Sequence, residues 1–329
     1  MVRQRSADVR QDGDLLTARR HFVIFNPASG RGSGRRRIDQ YRELLTQALE
    51  HVTYASTTRP GEEAELTEQA VEQGYDVIVA VGGDGTWSNV ADRLVTSGRD
   101  DVALGILPSG TGNDFGRNFG YSLRDPQSAV RVLAEGHVRS VDVGRVDTLS
   151  ASEHQPDRWE PRHFLNLIGF GFDIAVIDAA KRARFLRGEA LYKVAALQQL
   201  FRFPGLHARV EPEAHAPLEL HHLMLTISNG RYFGGGFPIA PVASVDAGYL
   251  HACSIGDASG LTRMKLFSLA EKGRHTGSDH VTITGDTAFR IQFPEKPRFE
   301  MDGDLRTSET EVVKVRSMPG ALKILAPAS

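Results

Sequence analysis

Residues Val77 to Asn89 read VIVAVGGDGTWSN, and no other stretch constrains the fold as tightly. Val77-Ile78-Val79-Ala80-Val81 is an apolar run that suits a strand buried on both faces. The run breaks into Gly82-Gly83-Asp84-Gly85-Thr86. Adjacent glycines let the backbone turn sharply and let its N–H groups approach a ligand closely. Trp87 to Ser97 can continue as a helix whose N-terminus is aimed at the loop. Strand, glycine loop and helix N-terminus together make a phosphate-binding arrangement. A plain strand-to-helix turn needs one glycine and no acid, so the glycines around Asp84 argue for a ligand. The motif alone names no reaction.

Three more strands end in the same way. His21 to Phe25 runs into Asn26-Pro27-Ala28-Ser29-Gly30-Arg31-Gly32-Ser33-Gly34. Val52 to Ala55 runs into Ser56-Thr57-Thr58-Arg59-Pro60-Gly61. Val102 to Leu107 runs into Pro108-Ser109-Gly110-Thr111-Gly112-Asn113-Asp114. Helical stretches separate them, as Ala64, Leu66, Ala70 and Val71 show by their spacing. Strands alternating with helices imply an α/β domain with a parallel sheet and crossover helices. All four loops then gather along the carboxyl edge of the sheet, where open α/β sheets bind ligands.

From about Val141 the texture changes. Short strands follow at Arg162 to Ile168, His207 to Glu211, Leu218 to Asn229, Tyr249 to Ser254, His280 to Gly285 and Ala288 to Pro294. Gly, Pro and Asp turns separate them, the pattern of an antiparallel sandwich or barrel. One helical stretch, Phe172 to Phe203, interrupts it, and Ala321 to Leu325 reads as a strand returning to the first domain. The expected division is a disordered tail over 1–20, a nucleotide-binding domain over 21–142 completed by 318–329, and a β-rich domain over 143–317. A chain of 329 residues is long enough for this.

The formal net charge is −2, which implies no general attraction to nucleic acid. Cys253 is the single cysteine, so no internal disulfide can form, and a reducing compartment fits. No apolar run is long enough to span a bilayer or to act as a signal segment, which leads us to expect a cytoplasmic protein.

NPASGRG, GGDGTWSN and LPSGTGNDFGR, in this order, resemble the diacylglycerol kinase catalytic-domain family of lipid kinases. NLIGFG at 166–171, Ser228-Asn229-Gly230, FGGGFPIAP at 233–241 and FEMDGD at 299–304 extend the resemblance over most of the chain. NAD kinases share the fold of the first domain and its GGDGT loop, whereas LPSGTGNDF points to the lipid-kinase branch.

The resemblance implies ATP-dependent phosphorylation of a lipid hydroxyl, with Mg²⁺, and diacylglycerol as the first acceptor to consider. Such a transfer needs positioning and charge neutralisation more than covalent chemistry. On the family pattern the nucleotide lies against Asn26, Pro27, Ser29, Gly30, Thr57, Thr58, Gly82, Gly83, Asp84, Gly85, Thr86, Asn89, Gly110, Thr111, Asn113 and Asp114. Asp84 acts there through Mg²⁺ and phosphate positioning. Asp114 is a second acid of that cluster or the N-cap of a helix starting at Phe115. Asp302 is assigned as the general base of an Asp-Gly-Glu element, read here as Asp302-Gly303-Asp304. A tight turn is the bland reading of those residues. Asp304, the other acid of this catalytic element, is shorter than the glutamate that the family carries there. A structural Mg²⁺ of the second domain would fall on Asp246, with Ala247 and His251 departing from the acids usual there.

Lys181, Arg182, Arg184 and Arg187 flank Phe185, Leu186, Leu191, Tyr192 and Val194. They suit a basic amphipathic helix on an anionic membrane, or a packed helix with solvated basic residues, the reading we prefer. Expected partners are a nucleotide and a lipid substrate at a membrane surface, visited transiently. A homodimer is left open. Sphingoid, ceramide or phosphatidylglycerol acceptors, an NAD kinase, and a nucleotide sensor without turnover are the rival readings.

Overall fold

The computed structural model describes residues 19–29, 34–148, 162–182 and 189–328. The first domain opens with β1 (Arg20–Phe25), α1 (Gly34–Ala48), β2 (His51–Ser56), α2 (Glu62–Glu72) and β3 (Val77–Gly82). It continues with α3 (Asp84–Ser97), β4 (Ala103–Pro108), α4 (Asp114–Arg117), α5 (Pro126–Glu135) and β5 (Val138–Thr148). Strands β4, β3, β1 and β2 lie side by side and parallel, in that order. Every residue of β3 and β4 is buried, as continuous apolar runs under crossover helices require. Trp87 of α3 is fully buried and its indole N–H donates to Ala80 O at 3.1 Å, fixing the helix onto β3.

The second domain begins with β6 (Arg162–Phe164), β7 (Leu167–Gly171), α6 (Phe172–Arg182) and α7 (Glu189–Arg202). Strands β8 (Leu206–Pro212), β9 (Leu218–Ser228), β10 (Tyr232–Phe233), β11 (Phe237–Pro238) and β12 (Leu250–Gly256) follow. Then come α8 (Gly260–Ala270), β13 (Val281–Asp286), β14 (Ala288–Gln292), β15 (Arg298–Met301), β16 (Asp304–Thr307) and β17 (Val312–Leu325). The long strands of this domain pair antiparallel. The helical stretch expected as one piece is two helices, α6 and α7.

Strand β17 joins the halves. Its first part pairs with β14, and its last residues run parallel to β4 at Lys323–Ala103 and Ile324–Leu104. β5 runs on through residue 142, where its pairing with β17 shifts register between Met318 and Leu322, so one strand spans the place where the sequence suggests a boundary. Arg19 and Arg20, placed in the tail by sequence, belong to the fold. Arg19 donates to Gly136 O at 3.1 Å, and the Arg20 N–H donates to Asp76 at 2.7 Å. Residues 1–18 lie outside the described residues, as do 149–161.

Candidate active site

The loops after β1, β3 and β4 are tied together at the carboxyl edge of the parallel sheet. The hydroxyls of Ser29 and Ser109 share a hydrogen bond of 2.8 Å. Ser109 N donates to Gly82 O at 2.8 Å. Gly83 and Gly110 pass so closely that a Cβ on Gly110 would stand 2.5 Å from Gly83 Cα. This crossing, rather than a turn conformation, is what requires glycine at both positions. Asn113, at φ 52°, folds its side chain back on Gly110, accepting from its N–H at 3.1 Å and donating to its carbonyl at 2.9 Å. Its amide closes the loop.

Other predicted nucleotide contacts are placed as follows. Asn26 donates to Glu63 at 3.3 Å and accepts from Ala28 N at 2.9 Å. Thr57 is buried, and Thr58 is engaged by Glu62, with its hydroxyl donating at 2.9 Å. Thr86 packs on Gly82, where a Cβ would collide with it. Pro27 lies in the turn after β1, and Asn89 is half-buried on α3. Gly30 lies outside the described residues.

Asp84 and Asp114 flank Gly112: a Cβ there would lie 3.1 Å from Asp84 Oδ2 and 3.4 Å from Asp114 Oδ2. Asp84 Oδ1 accepts the Phe115 N–H at 2.9 Å, so a side chain from another loop takes up a free N–H in the first turn of α4. Asp114 is the first residue of that helix and Asn113 its cap, which removes the capping reading of Asp114. Asp114 Oδ2 accepts the Gly235 N–H from the second domain at 2.8 Å, while its buried Oδ1 has no hydrogen-bond partner. Arg117 Nε lies 3.3 Å from that Oδ1. Burial and then the charge of Asp84 push the Asp114 carboxyl up to about 7, and burial raises Asp84 as well.

Asp302 comes from the turn between β15 and β16, at φ 47°. Its carboxylate accepts the backbone N–H groups of Leu165 at 2.6 Å, Asn166 at 2.9 Å and Leu167 at 3.1 Å. Ser88 adds a hydroxyl donor from α3. Burial outweighs these bonds and pushes the carboxyl up to about 6. Asp304 is brought to the first domain: its Oδ1 lies 3.6 Å from the point a Cβ on Gly85 would occupy.

Two acids not singled out by sequence stand beside Asp302. Glu300 and Asp173 are buried, and Glu300 Oε2 and both Asp173 oxygens lack hydrogen-bond partners. Burial pushes Asp173 up to about 7, and burial with the nearby Asp173 charge raises Glu300 well above its ordinary value. The Asp173 carboxylate lies over Gly169, where a Cβ would collide with its Oδ2. The signal available was local: Asp173 lies just past the glycine-containing end of β7, and Glu300 lies two residues before Asp302.

These groups share one cavity of about 590 Å³. Its polar end carries Asp84, Thr111, Asp114, Asp173, Glu300 and Asp302. The rest of its wall is mostly apolar, with Phe172, Leu200, Leu223, Met224, Leu266 and Phe267, and includes the charged Arg263 of α8 and Glu271 just after that helix. Asp246 lies elsewhere. The Ser244 hydroxyl and then the Arg139 guanidinium hold its carboxyl below its ordinary range, so its charge is already compensated. Cys253 is buried, and burial pushes its thiol up to about 12.

Residues 20–146 match the diacylglycerol kinase catalytic domain, and residues 166–326 the YegS C-terminal NAD kinase beta sandwich-like domain. A diacylglycerol kinase of Mycobacterium tuberculosis is 30% identical over 262 residues, covering 80% of each chain. One of Bacillus subtilis is 25% identical over 291 residues, 87% of this chain and 90% of that one. A solved structure from Bacillus anthracis superposes with a TM-score of 0.75 at 18% identity, covering 98% of this chain and 99% of that one. Another from the same organism, described as a diacylglycerol kinase, gives 0.68 at 18% identity over 94% and 97%. Fold and matched domains together define a phosphotransferase of the kinase class. The chain belongs to the diacylglycerol kinase catalytic-domain family.

Proposed function

We propose that the chain transfers the γ-phosphoryl group of ATP to the hydroxyl of a lipid, diacylglycerol first among the candidates. The observation that carries this reading is the shape of the cavity: glycine loops and carboxylates at one end, apolar side chains at the other. A phosphate donor suits the first end and acyl chains suit the second.

The residues present fit a divalent cation. Asp84 and Asp114 face one another across Gly112, both raised by burial, and the buried Asp114 Oδ1 accepts no hydrogen bond among the described residues and has the Arg117 guanidinium, at 3.3 Å, beside it. Oxygen ligands of this kind suit Mg²⁺, which when bound would neutralise the phosphate charge. The Gly83–Gly110 crossing exposes backbone close to the donor, since neither residue carries a side chain to keep a ligand away.

Asp302 takes the proton of the acceptor hydroxyl. Three fixed N–H donors hold its carboxylate as the anion, so with a value of about 6 it is ionised at neutral pH. A carboxylate offers about four acceptor positions, and the Ser88 hydroxyl fills the fourth. A hydroxyl can turn its proton away as a backbone N–H cannot, so Ser88 is the donor that gives way to the acceptor.

The test is transfer of label from ATP with Mg²⁺ to a panel of lipids, with NAD as the soluble control. Label in diacylglycerol supports the reading. Label in another lipid moves the acceptor, label in NAD alone moves the protein to a neighbouring activity, and no label with ATP still bound leaves a sensor.

A further inference from the structure

Helices α7 and α8 carry apolar side chains on two faces. Facing inward, Ala196 and Leu200 of α7 and Leu266, Phe267 and Ala270 of α8 line the cavity. Facing outward, Val194, Leu197, Phe201, Leu261 and Met264 are 41–79% exposed. Residues 194, 197 and 201 fall along one stripe of α7, at helical spacing, and 261 and 264 along one stripe of α8. The stripes meet, because the Phe201 ring lies 2.8 Å from the point a Cβ on Gly260 would occupy. Arg263 fixes the pair: its guanidinium donates to Leu200 O at 2.9 Å and Phe203 O at 2.8 Å, and pairs with Asp257. The apolar patch is therefore a rigid surface of adjoining helices.

We infer that this outer face is the membrane-docking surface, seated in the interfacial layer of an anionic bilayer. Contiguous exposed apolar surface of this kind marks an interaction site. Its position names the partner, because the same helices wall the apolar end of the cavity. At about 590 Å³ that cavity has the size of a site for a drug-sized ligand. A lipid with two long chains exceeds it, so the chain ends remain outside and need apolar surroundings where they emerge. The charge agrees: Arg202 and Lys265 are exposed, each next in sequence to an outward apolar side chain. Among the described residues no helix is long and apolar enough to cross a membrane, so the contact made through this surface is that of a face lying on the bilayer. Arg184, Phe185, Leu186 and Arg187 lie outside the described residues. So do the side chains of Lys181, Arg182, Leu191 and Tyr192, and the surface is defined without them.

Docking rests for its purpose on the lipid-kinase reading, but it is measured without turnover. Full-length protein is sedimented with phosphatidylcholine–phosphatidylglycerol vesicles at low and high ionic strength. Leu197→Glu/Leu261→Glu alters outward side chains and should leave the melting temperature unchanged. We expect it to lower vesicle partitioning by at least about tenfold. Transfer to a short-chain, water-soluble diacylglycerol should stay near the wild-type rate, while transfer to vesicle-embedded lipid falls. Wild-type partitioning should survive high salt. As a second measurement, Leu261→Cys labelled with a polarity-sensitive dye should report an apolar environment on vesicle addition, since buried Cys253 does not compete for label.

Equal partitioning of variant and wild type would overturn the inference. So would binding that salt abolishes and the glutamates leave alone, which would make the attachment electrostatic. A wild-type dimer that the variant converts to monomer, with no vesicle binding, would assign the patch to a second copy of the chain. Vesicle binding with no transfer to any lipid would sink the kinase reading and leave the docking surface standing.

Discussion

Asp84 sits among groups close to it in sequence. Its partner Phe115 and its neighbouring acid Asp114 come from the loop after the adjacent strand, and parallel pairing of β3 with β4 brings them together. Asp302 is placed differently, since the amides it binds lie 135–137 residues away. The first acid belongs to a site built from one repeated device, a glycine loop after a parallel strand. The second depends on closure of an antiparallel domain around it, with Glu300 holding the Gly303 N–H of the same turn. The phosphate end of the cavity is therefore sensitive to local errors of packing, and the acceptor end to long-range closure.

Asp302→Asn should separate the two ends most clearly. If Asp302 is the base, kcat should fall by roughly 10²–10⁴ while ATP affinity holds. The amide also sets a donor against backbone donors, so the melting temperature should drop as well. Near-normal turnover would leave Asp302 as a clasp only.

Asp173→Asn probes the acceptor end through pH. The folded value of about 7, against an ordinary 3.8, means the folded chain holds this proton more tightly than the unfolded chain. The stability contributed is therefore full below about pH 4 and is lost as pH rises through about 7. The variant should remove that loss, raising stability at pH 8 by up to roughly 4 kcal/mol and flattening the slope between pH 4 and 8. Thermal melts across that range check it, and parallel slopes for both proteins would refute it.

Gly110→Ala probes the phosphate end. A Cβ 2.5 Å from Gly83 Cα forces two backbones apart, at a cost of about 1–3 kcal/mol, and should weaken ATP binding more than lipid binding. Denaturant melts and nucleotide titration distinguish the two effects. The smallest effect is expected for Arg139→Ala. The Arg139–Asp246 pair is more than one third exposed on both sides, so its loss should cost about 0–1 kcal/mol. A much larger loss would show that this pair joins the domains more strongly than its exposure indicates.

The glycine loops are legible in sequence because their work is done by backbone within a few residues. A strand of apolar residues followed by Gly82-Gly83-Asp84-Gly85 can be read without knowing what lies opposite. The alternation of strands and helices, and its change near Val141, reveals the two kinds of sheet for the same reason. Asn113 enters the sequence reading through the family pattern alone, and the sequence does not show that its amide turns back on Gly110. Asp173 and Glu300 stay hidden because an acid near the end of a strand is ordinary until a carboxylate oxygen is seen buried without a hydrogen-bond partner.

The parallel strands, the order of the loops along their edge, and the family to which the motifs point are all written in the order of residues. The first two follow from short-range rules of backbone freedom and hydrophobic period, and the family from the resemblance of the motifs. Folding in three dimensions was needed to clasp Asp302 between Leu165, Asn166 and Leu167, and to tie Asp114 to Gly235. It was needed too for α7 and α8 to wall a cavity with one face and meet solvent with the other. Those outcomes depend on contacts between segments far apart in the chain, whose free energy exists only once the whole core has closed.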